Sequence, residues 1–339
     1  MMVRLSKKRT LVALGITAPV WLALLFLAGC EQDQYPEDMT YPLRSDPLIK
    51  ETPTDAKDTP VHFDTPGEFP DQWLAFLSSH NAKIIRPVQD KKRDAKQLQD
   101  LEKALNQTFG TPAHPKIGNT QELSAAVLQD IQSDIDDNNK LNDQQKGEAK
   151  DRATNNVNQF FETMTEPILA HGSQLYRRHC LQCHGLTGDG RGHTAPWINP
   201  HPRDFRRGMF KFTSSTEEQG AGRKARREDL LRTLHVGIEG TAMPSFGLLP
   251  DTELEDLASY VIHLSLRGEA EAHAMFDDLE AGMSMDDALK ENLQITLRRW
   301  VQTEADVIFA AQSPSSADER QNEELRQASV IRGHDFFMA

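Results

Sequence analysis

The chain has 339 residues, with 51 Asp and Glu against 38 Lys and Arg, a net charge of −13 and three cysteines. A hydrophobic fraction of 38% beside 26% charged residues fits a soluble body of one to three domains. The acidity argues against nucleic acid as a partner.

The first residues, "MMVRLSKKRTLVALGITAPVWLALLFLAGC", have the layout of a bacterial export signal: Arg4, Lys7, Lys8 and Arg9, then an uncharged run from Leu11 to Ala28. An uncleaved membrane helix is the alternative, but the run is near the short limit for a span and contains Pro19. Leu27-Ala28-Gly29-Cys30 resembles the lipobox of bacterial lipoproteins. The resemblance implies cleavage of a signal peptide, residues 1–29, and acylation of Cys30. Two or more acyl chains give stable membrane attachment. Residues 30–70 are rich in Pro, Asp and Thr and without period, which predicts an extended tether lifting the body from the membrane.

Residues 71–165 read as a helical flanking region. One short helix starts around Trp73, Leu74, Phe76 and Leu77. A second carries Leu98, Leu101, Leu105 and Phe109 and stops at Gly110 and Pro112. A third carries Leu123, Val127, Leu128, Ile131 and Ile135, and "DIDDNNKLNDQQKGEAKD" after it reads as a polar connection.

Residues 166–268 form the next domain. Their 13 Lys and Arg nearly balance 12 Asp and Glu, so almost all of the net charge lies elsewhere. Three helices are predicted. "PILAHGSQLYRRHC" opens on Pro167, "ARREDLLRTLHVG" follows, and "DTELEDLASYVIHLSL" has Asp251 or Thr252 as its cap. Between the first two stands "HCLQCHG". Cys180, Cys183 and His184 make C-x-x-C-H, the attachment pattern of a covalent c-type haem. Competing readings are a zinc site, which needs two further ligands, and a thioredoxin-like redox pair, which needs a βαβ neighbourhood.

This stretch resembles the class I cytochrome c family over about a hundred residues. Gly172 with Tyr176, and Tyr260 beside Leu257 and Val261, match the family's crossing of N- and C-terminal helices. The resemblance implies an all-α cytochrome c fold with additional flanking helices and one covalent haem c. Cys180 and Cys183 would form thioethers to it and His184 would be its proximal ligand. Met243, in the loop "GIEGTAMPSFG", would be the distal ligand, a pairing that raises the reduction potential. Met209 reads as a packing residue. His179, His193, His201, His235 and His263 compete as ligands. Gly192-His193 stands where the family has a Gly-Pro whose carbonyl holds the proximal imidazole, and Pro196 is a second candidate for bracing that loop. Arg203, Arg206, Arg207 and Lys211 read equally as partners of the haem propionates or as a solvated basic loop.

Residues 269–312 form a helical extension. Leu289, Leu293, Leu297, Trp300 and Val301 face a core, while "EAEAH", "FDDLE" and "MDDA" face water. Residues 313–339 read as a linker and the start of a second, incomplete cytochrome c domain, because Gly333, Phe336 and Phe337 repeat the spacing of Gly172, Leu175 and Tyr176. The expectation for the whole is a lipid-anchored electron carrier, or a non-catalytic subunit, on the periplasmic side of a bacterial membrane. Its partner would be a respiratory membrane complex or a periplasmic redox protein. A peroxidase-like enzyme subunit and a haem-based gas or redox sensor are the alternatives.

Overall fold

The structure, a computed structural model, describes residues 35–45, 48–50, 63–64, 83–85, 95–215, 224–275, 284–305 and 327. The signal peptide, Cys30, the helix expected at Trp73 to Leu77, "FDDLE" and the repeat around Gly333 lie outside these residues. Among the described residues no helix is long and apolar enough to cross a membrane.

The body is all-α. In chain order the helices are α1 (Ala95–Phe109), α2 (Thr120–Asp137), α3 (Asp143–Glu162), α4 (Glu166–His179), the single turn α5 (Leu181–His184), α6 (Arg227–Val236), α7 (Asp251–His273) and α8 (Met285–Ala305). Short 3₁₀ turns occupy Ala195–Trp197 and Phe205–Arg207. A small antiparallel sheet, absent from the sequence reading, joins β1 (Leu48–Lys50) to β2 (Phe63–Asp64) on one side and β3 (Lys83–Ile85) on the other.

The frame of the domain is the crossing of α4 with α7. A Cβ on Gly172 would sit 2.2 Å from the carbonyl oxygen of Asp256, so only glycine lets the two backbones approach this closely. Tyr176 and Tyr260 fill the crossing with ring centroids 5.2 Å apart. Thr165 is the N-cap of α4, and Pro167 lies in its first turn, where a missing N–H costs nothing. Arg177, Arg178 and His179 occupy the last turn, where positive charge complements the helix dipole. The start of α7 departs from expectation: the cap position is Pro250 and no side chain caps it, while Asp251 and Glu253 lie in the first turn.

The flanking helices share this core. Leu101, Leu105 and Phe109 of α1 are buried, and the helix ends at Gly110, whose φ is +71°. The supposed polar connection is partly a helix. Asn142 and Gln145 make a reciprocal capping box that starts α3, and Val157, Phe160 and Phe161 are its buried stripe. Leu289, Leu293, Leu297, Trp300 and Val301 of α8 are all buried.

Two expectations are corrected here. Residues 35–45 do not extend as a tether; Tyr35, Tyr41 and Arg44 are buried against α4 and α7. Glu269 and Glu271 of "EAEAH" do not face water. They lie within α7, which runs through position 268 without a break, and each is buried on a cation: Lys224 for Glu269, Arg44 and Arg267 for Glu271.

Candidate haem-binding site

Cys180 ends α4, and α5 carries Cys183 and His184 around a single further turn. Gly185, at φ +75°, then reverses the chain, and Tyr176 donates to its carbonyl at 2.9 Å. The next loop is drawn beneath this turn by Gly192, whose N–H donates to the Cys183 carbonyl at 3.1 Å. The Thr194 hydroxyl donates to the Gln182 carbonyl at 2.7 Å and lies 3.2 Å from Cys183 Sγ.

On the opposite side, α6 ends at Gly237. A Cβ there would lie 2.7 Å from the Pro244 carbonyl carbon. The glycine therefore lets the Met243-Pro244 segment fold back onto the helix end. The N–H of Ile238 donates to the Met243 carbonyl at 3.2 Å, and that of Phe246 to Leu234 at 2.8 Å.

Between these two loops lies a cavity of about 450 Å³. Cys180, Cys183, His184 and Met243 all line it, although Met243 is distant in sequence. Its apolar wall includes Leu230, Leu234, Ile238, Phe246, Ala258 and Val261. Met209 is not among the lining residues.

His184 is held from two sides. Its Nδ1 lies 3.1 Å from the carbonyl oxygen of Arg203, so Nδ1 carries the proton and Nε2 keeps its lone pair. Phe205 stacks on the ring at 4.4 Å and 18°. Burial lowers the imidazole's pKa, with the Arg203 carbonyl opposing, which favours the neutral form that ligates a metal. Burial pushes the Cys180 thiol up to about 12, with Cys183 adding to it. Neither thiol is in a disulfide.

The bracing carbonyl is thus supplied by Arg203, not by Gly192, His193 or Pro196. A carbonyl leaves no side-chain signature, so the sequence held no signal for this bond. Phe205 was also missed, although "RDFRRGMFKF" repeats an aromatic residue. Phe205 stacks on Phe210, which meets Trp300 of α8 edge-on. The wall behind His184 therefore continues into α8.

The competing histidines separate by place. His179 and His201 line the cavity, His193 is exposed, and His235 pairs with Asp251 at 3.4 Å. His263 lies fully buried with Nε2 3.0 Å from the carbonyls of both Phe109 and Lys116. The basic loop divides as well. Arg203, Arg207 and Lys211 line the cavity. Arg206 is buried in a bidentate pair with Asp204, at 3.0 and 2.7 Å, and belongs to neither expected role. Among the described residues no three His, Cys, Asp or Glu side chains converge as a metal cluster, so the zinc reading gains no further ligand.

Paired thiols, a neutral imidazole and a thioether around one apolar cavity, set between crossed helices, are the parts of a c-type cytochrome domain. Residues 167–261 match the family described as cytochrome c oxidase, cbb3-type, subunit III, and this part of the chain is a c-type cytochrome domain. The match covers well under half of the chain. No curated protein matches. Among solved structures the chain is similar to a component of the Kuenenia stuttgartiensis reducing HAO-like protein complex Kustc0457/Kustc0458. The identity is 26% over 27% of this chain and 40% of that one, with a TM-score of 0.26. Binding of haem c and a role in electron transfer follow from the domain.

Proposed function

We propose that this protein carries one covalent haem c and passes single electrons from the periplasmic side of a bacterial membrane, anchored through a lipid on Cys30. The observation that carries the reading is the gathering of Cys180, Cys183, His184 and Met243 around one cavity. When bound, the haem supplies a one-electron couple at its iron. Cys180 and Cys183 would hold it by thioethers, which keep the group from being lost to solvent. His184 would present Nε2 to the metal, its ring braced by the Arg203 carbonyl and Phe205. Met243 would supply a thioether from the other loop, a ligand that favours the reduced state. The wall from α6 and α7 gives the haem apolar surroundings through Leu230, Leu234, Ala258 and Val261. Arg203, Arg207 and Lys211 supply positive charge for the haem carboxylates.

The partner in this reading is a respiratory membrane complex. Support comes from the matched family, whose description is that of an oxidase subunit. An electron carrier needs no catalytic residue of its own, and none is assigned.

The test is an absorption spectrum of the protein purified from a host that matures c-type cytochromes. A low-spin, six-coordinate ferrous spectrum unchanged by carbon monoxide, with colour retained through acidified acetone, supports the carrier. A five-coordinate ferrous spectrum that binds carbon monoxide overturns it in favour of the enzyme subunit or gas sensor.

A further inference from the structure

Residues 35–45 are irregular in backbone yet held on the cytochrome domain at three points, the buried Tyr35, Tyr41 and Arg44. At one end the Tyr35 ring is covered by the Arg177 guanidinium, 4.9 Å from its centroid. Its phenol shares buried space with Cys180 and Tyr260, and burial raises its pKa. In the middle, the Tyr41 hydroxyl lies 2.8 Å from that of Tyr260, and Arg267 covers its ring at 4.9 Å. At the other end the Arg44 N–H donates to Glu271 at 2.7 Å and its guanidinium to the Gly268 carbonyl at 3.1 Å. Glu271 is fully buried between Arg44 and Arg267. The four tyrosines of the chain, Tyr35, Tyr41, Tyr176 and Tyr260, all gather here.

This placement has a geometric consequence for the anchor. Four residues separate Cys30 from Tyr35, so the two Cα atoms lie within about 17 Å of each other even when that stretch is fully extended. A free tether through residue 70 would reach on the order of 130 Å. The fixed end of the leash, Tyr35, sits at the C-terminal end of α4, beside the haem-attaching Cys180.

We propose that residues 35–45 are a strap that holds the cytochrome domain flat against the bilayer, with the Cys180 edge of the haem pocket within one short leash of the lipid headgroups. The inference rests on the reading of Cys30 as lipidated. The surface that meets the headgroups is the end of α4, where Arg177 and Arg178 bring positive charge suited to anionic lipid. A domain held this way does not swing between distant partners. It serves a membrane-embedded complex reached by lateral diffusion.

The full, haem-loaded and lipidated chain, in phosphatidylcholine–phosphatidylglycerol vesicles with a trace of headgroup-labelled fluorescent lipid, tests this, because haem quenches the label at short range. Wild type is expected to quench strongly. A spacer of about 20 Gly and Ser residues between Gln34 and Tyr35 adds roughly 25 Å of reach and leaves the strap itself intact. It is expected to remove most of the quenching at equal bound protein. The variant Tyr35→Ala/Tyr41→Ala/Arg44→Ala is expected to do the same, with its haem spectrum confirming a folded domain. Bound protein whose quenching is unchanged by the spacer overturns the strap alone. Protein that fails to bind the vesicles overturns the lipid anchor and the strap with it.

Discussion

The ammonium of Lys224 lies 2.7 Å from the carboxylate of Glu269, and both side chains are almost fully buried. The second carboxylate oxygen accepts the Trp300 indole N–H at 3.1 Å, and the same ammonium stands 5.2 Å from the centroid of that ring. One ion pair thus joins the segment before α6, the C-terminal part of α7, and α8. A buried pair is costly to break from one side, because the remaining charge keeps its desolvation penalty and loses its partner. Glu269→Leu is expected to destabilise the protein by about 3–5 kcal/mol. The double variant Lys224→Met/Glu269→Leu removes both charges and is expected to recover most of that loss. Urea unfolding followed by far-UV circular dichroism measures both. A single variant as stable as wild type would show that the pair contributes nothing.

The closeness of α4 to α7 gives a second expectation. Gly172 has the Asp256 carbonyl oxygen in the space that a Cβ would take, and Tyr260 Cβ is also within 3.0 Å. Gly172→Ala gains helix propensity but forces the backbones apart, and overpacking of this kind costs about 1–3 kcal/mol. The net result is a lower Tm, read from thermal melts. An unchanged or raised Tm would mean that the crossing yields without strain.

The parts of this fold that were legible in the sequence are those where side chains announce themselves by period or by rare chemistry. The Leu289 to Val301 stripe, the Gly172–Tyr176–Tyr260 crossing and the C-x-x-C-H motif are of this kind. Met243 was legible only through the family resemblance, since a methionine in a loop carries no signal of its own. The strap was not legible, because Tyr35, Tyr41 and Arg44 stand in a Pro-rich segment with neither helical nor alternating period. Glu269 and Glu271 were misread for a related reason. A carboxylate in sequence looks solvated until its distant cation, Lys224 at 45 positions for Glu269 and Arg44 at 227 for Glu271, is known; Arg267, four positions before Glu271, reads equally as an exposed helix pair. Helix α3 had a usable signal in Asn142 and Gln145 at capping-box spacing, outweighed by its polar composition.

Replacement of Met243 separates the two faces of the haem pocket. Met243→Ala leaves His184, Arg203 and Phe205 untouched and opens the opposite side, so the ferrous protein is expected to become five-coordinate and to bind carbon monoxide. Met243→His restores six-coordination with a harder ligand. Its midpoint potential is expected to fall by about a hundred millivolts or more, a part of the ≈ 0.8 V range that axial ligands span. Redox titration with optical detection gives the number. If neither variant alters the spectrum or the potential, Met243 is not the ligand.

His263 makes the stability of the domain depend on pH. Its Nε2 points at the carbonyls of Phe109 and Lys116, so this nitrogen carries a proton and the ring ties the end of α1 to α7. The ring lies parallel to Tyr260 at 5.6 Å and faces Tyr41 at 6.1 Å. Burial holds its pKa down at about 4, with the two carbonyls opposing and the Arg267 cation adding to the fall. The folded protein therefore keeps the imidazole neutral where the unfolded chain, near 6.5, takes up a second proton. The stabilisation is complete above about pH 6.5 and is lost as the pH falls towards 4, by roughly 3 kcal/mol in all. His263→Gln keeps a donor towards the two carbonyls but cannot titrate. Its free energy of unfolding is expected to fall less steeply over that window, by up to about 1.4 kcal/mol per pH unit. Urea titrations of both proteins from pH 7 to pH 4.5 give the comparison, and parallel curves would mean that His263 titrates alike in the folded and unfolded chain.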